Sequence, residues 1–226
     1  MLTWTTPCTL SARPHILFDF DGTLADTKPT IIKVATKVLR DWGIPEEELP
    51  RVEELIGPPF PDAFTQVFGV SAEDAAEITR RYREIYFSLC REAWPLFEGV
   101  DGLLEELRDA GRKTAVASSK IQSAIEKNVA DNEATHLFDA MVGRQAPNVL
   151  TKADAIAAAM EALGASPHDS IMVGDRYHDV EGAAEMGIPC IGVLWGDTAT
   201  REELVEAGAV VTLDTLEELR AVLLGS

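Results

Sequence analysis

The residues of this chain best suited to chemistry are acids met in pairs. In HILFDFDGTLADT, Asp19 and Asp21 close an apolar run with only Phe20 between them, and Gly22-Thr23 follows at once. In VGDRYHD, Asp175 and Asp179 stand four apart after a second apolar run. Residues two apart on an extended chain share a direction, so Asp19 and Asp21 can approach one atom, and Gly22 lets the backbone turn sharply after them. Carboxylates gathered in a crevice raise one another's pKa and destabilise a fold. A hard divalent cation such as Mg²⁺, which takes oxygen ligands and keeps positions for water and phosphate, removes the conflict. One carboxylate of the first pair can then attack phosphorus and form an aspartyl-phosphate. The other can protonate the leaving oxygen and later deprotonate the incoming water.

These acids need a scaffold that brings distant segments together. Six apolar, β-rich runs recur along the chain: HILFD (15–19), TAVAS (114–118), FDAMVG (138–143), SIMVGD (170–175), CIGVLW (190–195) and AVVTL (209–213). Runs without strict alternation suit strands buried on both faces of a parallel sheet. The stretches between them have helical spacing, as in TKADAIAAAMEALG, where Ala155, Ile156, Ala159, Met160 and Leu163 share a face and Gly164 is a stop. Right-handed crossovers then give a doubly wound α/β domain with a Rossmann-like core. Ligands of such sheets bind beyond the carboxyl ends of the strands, where Asp19, Asp21, Ser118 and Asp175 all fall, with Asp179 at the start of the next helix.

One interval breaks the alternation. Residues 28–97 carry helical spacing throughout, at Ile31, Ala35, Val38 and Trp42 and again at Ile78, Tyr82, Ile85, Leu89 and Ala93, which is too long for a simple crossover. The expected organisation is core (1–27), an inserted all-helical subdomain (28–97) and the rest of the core (98–226). Trp42, Phe64, Phe68 and Tyr82 are expected in the core of the insert. Its LIGPPFPDAF segment is either a stiff interhelical connector or, through Gly57, Pro58 and Pro59, a substrate-selecting loop.

Lys152 follows Thr151 and precedes Asp154 by two, which puts it in the first turn of a helix, where the macrodipole disfavours a cation unless an anion binds there. Lys120, also near a helix start, is its rival. Ser119-Lys120-Ile121-Gln122 resembles a capping box, and a capped helix N-terminus beside Ser118 is itself an anion site. Arg176 is expected to help the local charge balance, and His178 to be a helix-start or surface residue.

DFDGTLADT followed by VASSK, TKADA and VGDRYHD resembles the haloacid dehalogenase (HAD) superfamily of phosphohydrolases, in its phosphoglycolate-phosphatase-like branch with a helical cap after the first motif. The resemblance runs from about Arg13 to Leu224. It implies that Asp19 is the nucleophile and a Mg²⁺ ligand, and that Asp21 is the acid/base and offers a backbone carbonyl to the metal. It further implies that Ser118, with Ser119 beside it, and Lys152 hold the transferring phosphoryl group. Asp175 would be a direct metal ligand and Asp179 one acting through water. The implied activity is hydrolysis of a small phosphate monoester, phosphoglycolate first and a 5′-nucleotide close behind. A sugar phosphomutase would share these residues, whereas a dehalogenase would need no Asp21 and a non-catalytic binding protein would not need the whole set.

Composition narrows the partners. The net charge of −18, from 38 acidic and 20 basic residues, argues against nucleic acid and anionic membranes as partners. Cys8, Cys90 and Cys190 fit neither a disulfide framework nor a zinc spacing. No run approaches the roughly 18 apolar residues of a membrane span, and the N-terminus has no signal-peptide pattern. A cytoplasmic monomer or homodimer acting on a small phosphorylated substrate is expected.

Overall fold

The computed structural model describes residues 10–225; Cys8 lies outside them. The chain divides into two compact units, one formed by residues up to Asp26 together with those from Leu96 onward, the other by Thr27–Pro95.

The first unit is a three-layer α/β domain. Its strands are β1 (His15–Phe18), β2 (Lys113–Ile121), β3 (Ala140–Arg144), β4 (Ser170–Gly174), β5 (Cys190–Val193) and β6 (Val211–Leu213). All pair in parallel in one sheet of order β3-β2-β1-β4-β5-β6, so the strand order reverses beside β1. The α-helices from Lys28 onward are α1 (Lys28–Trp42), α2 (Asp62–Phe68), α3 (Ala72–Phe87), α4 (Val100–Asp109), α5 (Gln122–Asp131), α6 (Lys152–Leu163), α7 (Tyr177–Glu185), α8 (Arg201–Ala207) and α9 (Leu216–Leu224).

Alternation along the central strands divides the core in two. Ile16, Phe18, Val116, Ile171 and Val173 pack with Leu103, Leu104 and Leu107 of α4, Ile125 and Val129 of α5 and Leu219 of α9. Leu17, Ala115, Ala117 and Met172 pack on the other side with Ile156, Ala159 and Met160 of α6, Val180 of α7 and Leu204 of α8. Each strand residue therefore serves one helical layer or the other, and apolar burial on both faces explains the runs without alternation.

The expected end of β2 is corrected. The strand continues past Ser118 and Ser119 to Ile121, and α5 starts at Gln122 with no side-chain cap. The capping-box pattern at Ser119 thus belongs to a strand. Its register against β3 shifts between Ala117 and Ile121, an irregularity of the kind that re-aims side chains near active sites. Gln122 uses its amide elsewhere, accepting from Gly143 N at 2.6 Å and donating to the Met141 carbonyl at 3.1 Å.

The second unit is helical. Its core contains Ile31, Val34, Ala35, Val38 and Leu39 of α1, Phe64 of α2, Ala75, Ile78, Tyr82 and Tyr86 of α3, and Trp94. Helix α3 stops at Phe87, so Leu89 and Ala93 fall beyond the stripe that spacing assigned them to, and Tyr86 takes the next inward position. Trp42 and Phe68 are only half-buried; each carries a guanidinium over its ring, from Arg81 at 4.8 Å and Arg51 at 5.8 Å. Gly57 and Pro58 lie in the turn between a 3₁₀ helix, Leu49–Leu55, and α2. The chain leaves and re-enters the α/β unit at adjacent points, because Ala25 bridges Leu96 and Phe97 N donates to the Leu24 carbonyl at 3.0 Å.

Candidate active site

Register gathers the candidate residues beyond the carboxyl ends of the central strands β1, β2 and β4. Phe18 is level with Val116 of β2 and Val173 of β4, so Asp19 begins one step beyond, and Ser118 and Asp175 lie a further step on. Asp19 N still donates to the Val173 carbonyl at 2.9 Å, which fixes this residue to the sheet.

Lys152 is the hub. It is the first residue of α6, whose N-cap Thr151 accepts from Asp154 N at 3.1 Å while Asp154 accepts from Thr151 N at 2.9 Å. From there its ammonium donates to Asp19 Oδ1 at 2.7 Å and to the Ala117 carbonyl at 2.9 Å, and lies 2.6 Å from Asp179 Oδ1 in ion-pair rather than hydrogen-bond geometry. The lysine is 8% exposed. Burial would lower its pKa, but Asp179 and Asp19 outweigh burial and raise the group above its ordinary range, so it stays a cation.

The other acids are held as firmly. Asp179 Oδ2 accepts from Arg176 N at 3.0 Å at the start of α7, so this residue caps its helix and pairs with Lys152 at once. Asp175, 1% exposed, accepts from Thr23 Oγ1 on Oδ1 at 2.8 Å and from Thr198 Oγ1 on Oδ2. Lys120 donates to both oxygens of Asp21, at 2.7 and 2.9 Å. The two lysines are therefore not alternatives for one place, and each takes one acid of the first pair. Ser118 is buried, and its Oγ accepts from Lys120 N at 3.3 Å; Ser119 is half-buried on the same irregular stretch. Arg176 pairs with Glu203 at 3.1 Å, and the His178 ring lies tilted against Tyr177 with centroids 3.7 Å apart.

Thr23, Thr198 and the Lys120–Asp21 pair were not legible in the sequence. Thr23 had a signal in its place directly after Gly22; Thr198 had none.

Four carboxylates here face two ammonium groups. One oxygen from each of Asp19, Asp175 and Asp179 lies within 4.8 Å of the others. The set offers oxygen donors only, the chemistry a hard divalent cation such as Mg²⁺ prefers. Its charge of two matches the excess. The Asp21 carboxylate is outside the cluster. Burial pushes Asp19 up to about 6 against the pull of Lys152, with Asp179 and Asp21 adding to the rise. Burial likewise pushes Asp175 well above the carboxylate range, helped by Asp179 and Asp19. A cation bound by these carboxylates would compete with their protons.

That exchange has a measurable sign. Between its ordinary 3.8 and about 6, folded Asp19 holds a proton that the unfolded chain has released. This favours folding at low pH and is lost as pH rises through about 6. A cation taking the proton's place reverses the loss. The melting-temperature gain on adding Mg²⁺ is therefore expected to grow from pH 5 to pH 7, read by calorimetry at both pH values; an equal gain at both would contradict it.

Gly22 makes the close packing possible. Its φ is +76°, and a Cβ there would overlap the Asp175 carboxylate. Gly22→Ala is expected to cost about 1–3 kcal/mol of stability and to weaken Mg²⁺ binding, both measurable by melting with and without the ion.

The chain is similar to several known proteins. The sequence profile of haloacid dehalogenase-like hydrolases matches residues 16–193. A 5′-nucleotidase of Pseudomonas aeruginosa is 35% identical over 185 residues, 81% of this chain and 83% of that protein. The tyrosine-protein kinase PtkA of Mycobacterium tuberculosis is 32% identical over 211 residues, 92% of this chain and 72% of its own. A phosphoglycolate phosphatase of Caulobacter vibrioides is 27% identical over 202 residues, 87% and 85% of the two chains. Among solved structures, a predicted phosphatase of Clostridium acetobutylicum superposes with a TM-score of 0.88 at 32% identity, covering 96% of this chain and all of that one. The chain belongs to the haloacid dehalogenase-like hydrolases. It is a phosphoric monoester hydrolase of that family, whose phosphatases generally use a divalent metal. No helix among the described residues is long and apolar enough to cross a membrane.

Proposed function

We propose that this chain hydrolyses a small phosphate monoester in a Mg²⁺-dependent reaction through an aspartyl-phosphate on Asp19. The observation that carries the reading is the triad of clustered carboxylates with the Lys152 ammonium against Asp19. Asp19, Asp175, Asp179 and the Asp21 backbone carbonyl would hold the ion. When bound, Mg²⁺ supplies charge neutralisation for the phosphoryl oxygens.

The protein's own groups do the rest. Lys152 fixes Asp19 Oδ1 and leaves Oδ2 without a hydrogen-bond partner among the described residues. Asp19 attacks phosphorus, the bond from phosphorus to the ester oxygen breaks, and Asp21 gives that oxygen its proton. Water then attacks phosphorus, Asp21 takes the water's proton, and Asp19 is released with inorganic phosphate. Ser118, Ser119 and Lys152 hold the transferring group. Gly57 and Pro58 take part in choosing the substrate.

Phosphoglycolate is the first substrate to assay, in keeping with the motif set and the Caulobacter relative. The 35% identity to a 5′-nucleotidase supports a second reading, a nucleoside monophosphate. A panel of phosphate esters, followed by free phosphate with Mg²⁺ or with chelator, tests both. Release that stops with chelator supports the proposal. Isomerised sugar phosphate without release would point to a mutase, and silence across the panel would contradict the proposal.

A further inference from the structure

We propose that the loop after β5 is a working part of the cation site, in which Thr198 is a positioning residue that fixes the Asp175 carboxylate. The inference rests on the reading of Asp19, Asp175 and Asp179 as cation ligands.

Both oxygens of Asp175 carry a hydroxyl, and the two come from opposite ends of the unit's sequence. Thr23, buried in the turn after β1, donates to Oδ1; Thr198, half-buried in the loop after β5, donates to Oδ2. The two segments are locked together. Trp195 Nε1 donates to the Thr23 carbonyl at 3.0 Å. Gly196 lies so near the Gly22 backbone that a Cβ on it would overlap the Gly22 carbonyl oxygen. Asp197 N then donates to the Leu194 carbonyl at 3.2 Å, closing the turn that delivers Thr198.

A carboxylate gripped on one oxygen can still swing about its Cβ–Cγ bond. Gripped on both, it presents its remaining lone pairs in one orientation. Partners behind the ligands of a metal set ligand orientation in this way, and their loss typically weakens metal affinity by about 10–100-fold. Thr198 is such a partner. Its hydroxyl is separable from its bulk, because valine keeps the shape and serine keeps the donor.

The test uses Mn²⁺ as probe, with free ion measured by electron paramagnetic resonance in titrations of the chelator-treated full chain. Thr198→Val is expected to bind Mn²⁺ about 10–100-fold more weakly than wild type, and Thr198→Ser to stay within about threefold. The melting temperature of each metal-free variant reports a merely structural role. If Thr198→Val melts lower than wild type yet binds Mn²⁺ equally well, the positioning role is overturned while the cation site stands. If the wild-type chain binds no Mn²⁺, this inference falls together with the reading beneath it.

Discussion

Asp19→Asn is expected to lower phosphate release by at least about 10⁴-fold, since the amide cannot attack phosphorus and no neighbouring group can replace it. The variant should remain folded. The side chains are isosteric, the amide oxygen can still accept from Lys152, and the ammonium keeps Asp179 and the Ala117 carbonyl as partners. Retention of Asp21 should not rescue turnover, because its carboxylate is outside the Asp19, Asp175 and Asp179 cluster. Steady-state phosphate release on the best ester of the panel checks the rate, and far-ultraviolet circular dichroism checks the fold. A rate within tenfold of wild type would remove Asp19 from its role.

Lys152→Met should damage stability and activity together. The ammonium is the positive charge between Asp19 and Asp179, and its removal leaves two buried carboxylates facing each other. Removing one partner of a buried pair typically costs about 3–5 kcal/mol, which in a chain of this size lowers the melting temperature by roughly 10 °C. Loss of a fixed charge on the transferring phosphoryl group should lower turnover by about 10²–10³-fold. A second change separates the effects. Lys152→Met with Asp179→Asn should recover much of the stability, because one unpaired charge is gone, and none of the rate. If the single variant melted within 2 °C of wild type, the lysine would not be the hub of the site.

What could be read in the sequence and what could not divides along a physical line. The strands were legible because both faces are buried, so apolar runs such as SIMVG stand out against their flanks. Lys152 was placed in the first turn of α6 by local chemistry alone, the Thr151–Asp154 cap. A local signal that has two solutions misleads. Ser119 to Gln122 has the letters of a cap, yet pairing with β3 extends the strand through them. In α3 the helical stripe cannot show where the helix stops, so Leu89 and Ala93 share the spacing of a face that ends with Tyr86. Pairings between segments distant in sequence left no trace. Thr198 reaches Asp175 only because Trp195 ties its loop to Thr23, and Lys120 reaches Asp21 across two neighbouring strands' ends.

A crystal structure of the chain grown with Mg²⁺ and beryllium fluoride tests the central claim most directly. The account predicts one cation in contact with both Asp19 and Asp175, and the fluoride adduct on a carboxylate oxygen of Asp19. A cation bound away from Asp175, or an adduct on Asp21, would contradict it.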